Sequence, residues 1–304
     1  MIQETTTKKK YPLLKDSISY IYIEHAVIEQ DAFSIAKVTE EGRTPIPIAG
    51  ITCLLLGPGT TITHAAMRSI ADCGCTVIWC GDKMRKFYAY GEGDTKSGKN
   101  ILHQANLLCD EYTHLQVVKK MYLLRFPGIL QKDYSLEQLR GLEGVRVRQS
   151  YKTSSKLYGV PWSGRNSRMK DIEEGDSINR ALTLSSDLLY GICHSAIVSL
   201  GYSPALGFIH TGNARSFVFD VADFYKVDIA IPAAFEAVAN TNWDLDSTVR
   251  RCCRKRFVEK QFLKRIANDI ETVFDVETQK SLVEEGLWND GDIIAYGHNY
   301  GGKT

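Results

Sequence analysis

Only eight of the 304 residues are cysteine, and the formal net charge is +1. The cysteines, Cys53, Cys73, Cys75, Cys80, Cys109, Cys193, Cys252 and Cys253, contain no C-x-x-C pair and no zinc-ribbon spacing, and several lie inside apolar runs. That excludes a disulfide scaffold and a thiolate zinc knuckle, and it fits buried free thiols in a reducing compartment. The opening stretch MIQETTTKKKYPLLK has no apolar core of a secretion signal. No run approaches the roughly 18 apolar residues needed to span a membrane. A cytoplasmic protein with no membrane contact is expected.

What is present is the composition of a folded chain, with 44% hydrophobic and 24% charged residues. Its length leaves room for two cores. The small net charge hides segregation. Between Val249 and Arg265 stand Arg250, Arg251, Arg254, Lys255, Arg256, Lys260, Lys264 and Arg265 against the single acid Glu259. From Ile266 to Asp292 only Lys280 opposes Asp269, Glu271, Asp275, Glu277, Glu284, Glu285, Asp290 and Asp292. A second basic stretch runs from Arg140 to Lys170. Such basic stretches suit phosphate contacts that bind without reading sequence, and they are equally the pattern of a solvated helix face.

Residues 17 to 90 alternate β-branched and aromatic runs with turn signals. Strands are expected at 18–22, 33–38, 51–56, 76–80 and 86–90, with one helix opening at an N-capping Thr63. The polar stretch GEGDTKSGKN, 91–100, reads as a linker. After it the period becomes helical: Ile101 to Leu124 as one helix, a second through Leu136, Leu139 and Leu142 towards Tyr158, a third over 178–200, and a long fourth over 247–274. The expected fold is α+β: a β-rich domain over 1–92, a linker over 93–100, an all-α-helical domain over 101–285 and a tail over 286–304.

Four residues stand out for chemistry. Glu143 lies between Gly141 and Gly144, each costing roughly 1 kcal/mol in a helix relative to alanine. Either Glu143 is a surface acid paired within the helix to Arg140 and Arg146, or the glycines clear space for a backbone such as a phosphodiester. His210 closes the run Gly207-Phe208-Ile209-His210, where a hydrogen-bonded core histidine is the competing reading. Asp220 and Asp223 share a face if their segment is helical and point oppositely if it is a strand. Carboxylates among Phe, Val and Ala are costly to bury without a partner or a metal. Oxygen ligands with one imidazole suit Mg2+ or Mn2+ better than zinc.

At these residues the sequence resembles Cas1, the CRISPR-associated spacer-acquisition endonuclease and integrase, in its type I-E branch. The matches are ordered along most of the chain: Gly57-Pro58-Gly59-Thr60 with Thr63-His64-Ala65-Ala66, then Glu137 to Gly144, Tyr158-Gly159-Val160 with Trp162, Gly175 to Asn179, Gly207 to Gly212, and Ser216 to Asp223. The resemblance implies a metal-dependent DNA endonuclease and integrase. The 3′-hydroxyl of captured DNA would attack the CRISPR repeat by direct transesterification. It implies a homodimer, two of which bracket a dimer of a small ferredoxin-fold Cas partner in a heterohexamer. Its substrates would be duplex DNA with splayed 3′ ends and repeat DNA.

Family metal ligands fall on Glu143, His210 and Asp223, with Asp220 a supporting acid. Candidate DNA contacts are Arg68, Lys86, Arg140, Arg146, Lys226, Arg250 and Arg254, and candidate base-stacking groups are Tyr22, His25 and Tyr190. Trp162 is expected to pack the core. Two positions depart from the family pattern. His25 stands where relatives carry a duplex-splitting tyrosine, and Asn213 stands where they carry a basic residue linked to protospacer-adjacent motif reading. A non-catalytic DNA-binding scaffold and a stand-alone nuclease for branched DNA are the competing functions.

Overall fold

The computed structural model describes residues 20–32, 34–81, 86–91, 93, 98–126, 134–165, 176–240, 244–276, 287–289 and 292–294. Strands come first and helices follow, the expected α+β class. Among the described residues, eight strands precede residue 92: β1 (Tyr20–Ile23), β2 (Val27–Asp31), β3 (Ser34–Thr39), β4 (Gly42–Ile46), β5 (Cys53–Leu56), β6 (Thr61–Ile62), β7 (Thr76–Cys80) and β8 (Phe87–Gly91). They form two four-stranded sheets ordered β1-β5-β7-β8 and β4-β3-β2-β6. In the first, β1, β5 and β7 are parallel and β8 is antiparallel. Helix α1 (His64–Asp72) starts where the Thr63 side chain accepts from the Ala66 amide, so the expected cap is present.

The Cys53-Leu54-Leu55-Leu56 run follows from burial on both sides. Leu54 and Leu56 enter the core shared with Ile28, Ile35, Ala66 and Ile70, and Cys53 and Leu55 face the opposite side with Ile78, Cys80 and Val198. A strand alternates faces with a period of two, so a central strand covered twice reads as an unbroken apolar run. Strands β2, β4 and β6 were not expected from the sequence. The β4 segment Gly42-Arg43-Thr44-Pro45-Ile46 is mostly exposed and lies at a sheet edge, the position where a proline's missing N–H is tolerated.

The helices are α2 (Lys99–Cys109), α3 (Glu111–Arg125), α4 (Leu136–Tyr158), α5 (Ser177–Ser199), α6 (Ser216–Ala222), α7 (Ile231–Asn240), α8 (Leu245–Glu259) and α9 (Phe262–Phe274), with a π-helical stretch at Lys226–Ala230. Two expected long helices are each broken in two. At Asp110 the backbone is extended and the side chain accepts from the Thr113 amide at 2.7 Å, so a new helix is capped inside the continuous apolar period. At Gln261 the backbone turns left-handed, φ 45°, and separates α8 from α9. The π-helical stretch leads directly into α7, whose Pro232 lies in the first turn, where a missing N–H costs nothing.

Helix α5 is the centre of the helical part. Its buried residues lie on every side, from Ile178 to Ser199, as expected of a core helix surrounded by others. By length and composition it could cross a membrane, but 78% of its most apolar stretch is buried inside the protein. The helix carries Arg180 and Asp187, and its apolar surface goes to the core. Its C-terminal end reaches the first sheet, where Val198 packs with Leu55 and Ile78. Strand β8 ends at Gly91 and α2 begins at Lys99; between them only Gly93 and Gly98 are described. Within the expected tail, β9 (Leu287–Asn289) and β10 (Asp292–Ile294) pair antiparallel.

Candidate active site

The site is built where α3 ends, against α4, the loop before α6, and α6. The segment holding Asp220 and Asp223 is helical: Asp220 lies within α6 and Asp223 caps its end, three residues on. Both carboxylates therefore share a face. Asp220 is fully buried, which is costly for an acid unless its oxygens are satisfied. It accepts from the backbone amides of Phe208 (2.6 Å), Ile209 (3.1 Å) and His210 (2.9 Å), and its Oδ1 lies 2.7 Å from His210 Nδ1. One buried side chain thus ties down the whole turn that carries His210. Gly207 permits it, because a Cβ there would run into the His210 carbonyl and into Ser216.

With Nδ1 held by Asp220, His210 Nε2 lies 3.9 Å from Asp223 Oδ2. The hydrogen bond to Asp220 raises the histidine's pKa, burial opposes it, and the charges of Asp220 and Asp223 add to the rise. Glu143 comes from α4, but its partner is not the intrahelical Arg140 or Arg146. Its Oε2 lies 2.5 Å from an Nη1 of Arg125, the last residue of α3, and the same nitrogen is 3.9 Å from Asp223 Oδ2. Arg125 also donates to the Asp220 carbonyl at 3.2 Å. The guanidinium is 1% exposed, against 19%, 20% and 43% for the side chains of Glu143, Asp223 and His210. The candidate ligands therefore face solvent while the arginine lies beneath them.

As placed, no three His, Cys, Asp or Glu side chains among the described residues stand close enough to share an ion. The Arg125 cation bridges Glu143 and Asp223 instead. The donor chemistry nonetheless fits a hard divalent cation: two partly exposed carboxylates, and an imidazole whose other nitrogen is fixed by a buried acid. Arg125 was missed in the sequence reading. The available signal was an arginine ending the apolar run Met121-Tyr122-Leu123-Leu124-Arg125-Phe126, since a cation buried there requires a carboxylate.

Residues 123–271, which contain all of these groups, match the family model described as CRISPR associated protein Cas1. A Thermus thermophilus protein named CRISPR-associated endonuclease Cas1 2 is 46% identical over 95% of this chain and 93% of its own length. The chain belongs to the Cas1 family. An Escherichia coli K12 Cas1, also named an endonuclease, is 40% identical over 86% of this chain and 86% of its own length. A solved complex of TtCas1 with DNA matches with a TM-score of 0.74 at 48% identity, covering 88% of this chain and all of that one. A Thermotoga maritima Cas1 structure, at 14% identity and a TM-score of 0.62, shares the fold.

The other candidate residues of this Cas1 chain are spread more widely. Lys226 opens the π-helical stretch, 3.9 Å from Asp223 Oδ1. Burial pulls its pKa down, but Tyr190 and Asp223 outweigh that and raise it. Tyr190 packs edge-on to Phe219, with ring centroids 5.2 Å apart. Arg146 covers the Phe126 ring and lies 3.9 Å from Asp228. Arg140 and Arg254 are exposed and Arg250 is half-buried, whereas Arg256 turns inward to Glu236 and to the Tyr158 hydroxyl and leaves the basic face. Arg68 is exposed on α1 near Asp72, and Lys86 is exposed at the entry to β8. Arg168 and Lys170 lie outside the described residues.

Tyr22 and His25 flank the Gly57-Pro58-Gly59 turn, where a Cβ on Gly57 would strike the tyrosine ring and one on Gly59 the histidine ring. Tyr22 lies on β1 and His25 in the bend between β1 and β2. Trp162 stacks on Tyr151 at 4.6 Å and meets Phe235 edge-on, a packing role. A Cβ on Gly141 would meet nothing within 4 Å, so the chain itself does not require glycine there.

Proposed function

We propose that this chain is a metal-dependent DNA endonuclease and integrase of CRISPR adaptation that joins the 3′-hydroxyl ends of captured DNA to the CRISPR repeat. The observation that carries the reading is the Asp220 anchor, which fixes a solvent-reachable His210 beside Asp223 on the chain's Cas1-matching segment. Glu143, His210 and Asp223 would hold Mg2+ or Mn2+. Such an ion supplies neutralisation of charge on the phosphoryl transition state and lowers the pKa of the attacking hydroxyl. Asp220 keeps the imidazole in one orientation through Nδ1, leaving Nε2 for the ligand. Lys226 adds positive charge beside Asp223, suited to a phosphate oxygen. The open space at Gly141 lets a phosphodiester pass close to α4.

Arg140, Arg146, Arg250 and Arg254, with Arg68 and Lys86 on the N-terminal part, are the proposed phosphate contacts, and Tyr22, His25 and Tyr190 the proposed stacking groups. The named relatives are called endonucleases and the similar TtCas1 is solved with DNA, which supports the substrate class. We further place the chain in the type I-E branch, in the cytoplasm, as a homodimer that assembles with a small ferredoxin-fold partner dimer.

The deciding experiment is strand joining of splayed-end DNA into a supercoiled repeat-bearing plasmid with Mn2+ and the partner. His210→Ala is expected to abolish products while DNA affinity stays within about threefold; normal joining by that variant refutes the site. The bridging of Glu143 and Asp223 by Arg125 favours one rival, a DNA-binding scaffold without chemistry. A scaffold releases no cut or joined product from branched DNA with Mn2+.

A further inference from the structure

Arg125 is a nearly fully buried cation in the middle of the proposed ligands, and its placement is specific. One of its terminal nitrogens spans Glu143 and Asp223, and another reaches the Asp220 carbonyl. Its Cζ lies 5.2 Å from the Tyr122 ring centroid and 5.7 Å from that of Phe224. Its Nε has no hydrogen-bond partner among the described residues. A guanidinium removed from water is retained only where fixed negative charge compensates its lost hydration, and here that charge is the proposed metal-binding pair.

We propose that Arg125 is a resident counter-cation: it holds Glu143 and Asp223 converged without metal, must release Glu143 when a divalent ion enters, and so sets the affinity for that ion. This rests on the metal reading above. A carboxylate has lone pairs for more than one cation, but here the two would stand within a few ångströms of each other, and the doubly charged ion is expected to push the guanidinium off Glu143. A buried positive charge that stays within a few ångströms of the ion repels it, and little solvent intervenes to screen the repulsion. Arg125 is therefore a positioning residue with a cost: it prevents the two acids from repelling each other apart, and it weakens binding of the ion they await.

The test is Mn2+ binding to the full-length, DNA-free chain, read from the paramagnetic resonance of free Mn2+, together with melting curves with and without the ion. Arg125→Met keeps bulk and removes charge, and is expected to bind Mn2+ tighter by on the order of tenfold. Its metal-free melting temperature should fall, and Mn2+ should raise it by more than it raises that of the wild type. Arg125→Lys keeps the charge and should stay within about threefold of wild-type affinity. A purely structural arginine would lower both melting curves equally and leave the affinity unchanged. That result, or weaker binding by a folded Arg125→Met, overturns the proposal, as does equal tightening by the lysine variant.

Should Arg125→Met fail to fold, wild-type crystals with Mn2+ decide. Glu143 is expected on the ion and out of hydrogen-bond reach of Arg125, and an intact Glu143–Arg125 bond with the ion bound overturns the idea. No binding by the wild type sinks the metal site itself and this inference with it, whereas binding without the arginine effect sinks the inference alone.

Discussion

His194 illustrates how single residues here are governed by what burial denies them. It lies on α5, 7% exposed, with neither ring nitrogen partnered among the described residues. Its ring stacks on Phe87 at 5.0 Å and meets Tyr90 edge-on. Burial, reinforced by the Arg215 charge, pushes its pKa down to about 4. The folded protein therefore resists a proton that the unfolded chain accepts near the ordinary histidine value of about 6.5, so stability is undiminished above that pH and is lost as pH falls towards 4. The loss amounts to about 3 kcal/mol once both states are protonated. In urea unfolding, His194→Phe should lose less stability between pH 7 and pH 4.5 than the wild type does; equal losses would show that other groups set the acid response. At the same scale His210 is the opposite case, with a raised pKa because a buried acid faces it.

Among the elements, the helix breaks are where local chemistry overrules hydrophobic period. The apolar spacing from Ile101 to Leu124 is continuous, yet Asp110 caps a second helix because its short side chain can take the Thr113 amide. Gln261 is the costlier break. It is an exposed non-glycine residue at φ 45°, where a Cβ crowds the following carbonyl. Gln261→Gly should raise stability by about 0.5–1 kcal/mol, read as a higher urea midpoint at unchanged slope. A lower midpoint would mean that the glutamine side chain contributes more than its backbone costs. The break has a spatial consequence, since it lets α9 fold back so that Phe274 meets Phe208 and Phe217 beneath the His210 turn.

At the scale of the whole molecule, the proposed DNA partner would span two cores. The two parts meet where Val198 and Ser199 of α5 touch the first sheet, with a 3.4 Å hydrogen bond from Ser199 to Thr76. Exposed basic groups lie on both parts, Arg68 and Lys86 on one, Arg140 and Arg254 on the other. If DNA spans them, binding is dominated by counterion release, and each lost phosphate contact lowers the slope of log affinity against log salt by about 0.9. Arg250→Ala with Arg254→Ala should lower that slope by about 2 and weaken all duplexes alike. An unchanged slope would remove α8 from the DNA surface.

The sequence alone determined the class of fold, the order of strands before helices, the Thr63 cap, the course of α4 and α5, and the residue types needed for a hard-metal site. These rest on period, turn chemistry and charge, which act over a few residues and so leave a local trace. It left short elements unread or open: β2, β4 and β6 and the buried α7 were not foreseen, and the buried α6 stood open between helix and strand. Their stability comes from neighbours far away in the chain and not from their own pattern. Whether Asp220 and Asp223 share a face was undecidable until α6 formed. Which cation stands beside Glu143 was likewise settled only in three dimensions, where Arg125 displaced the intrahelical arginines by 18 residues of separation and near-complete burial. A charge in low dielectric takes the partner that packing brings to it, and packing is not written in any local stretch of sequence.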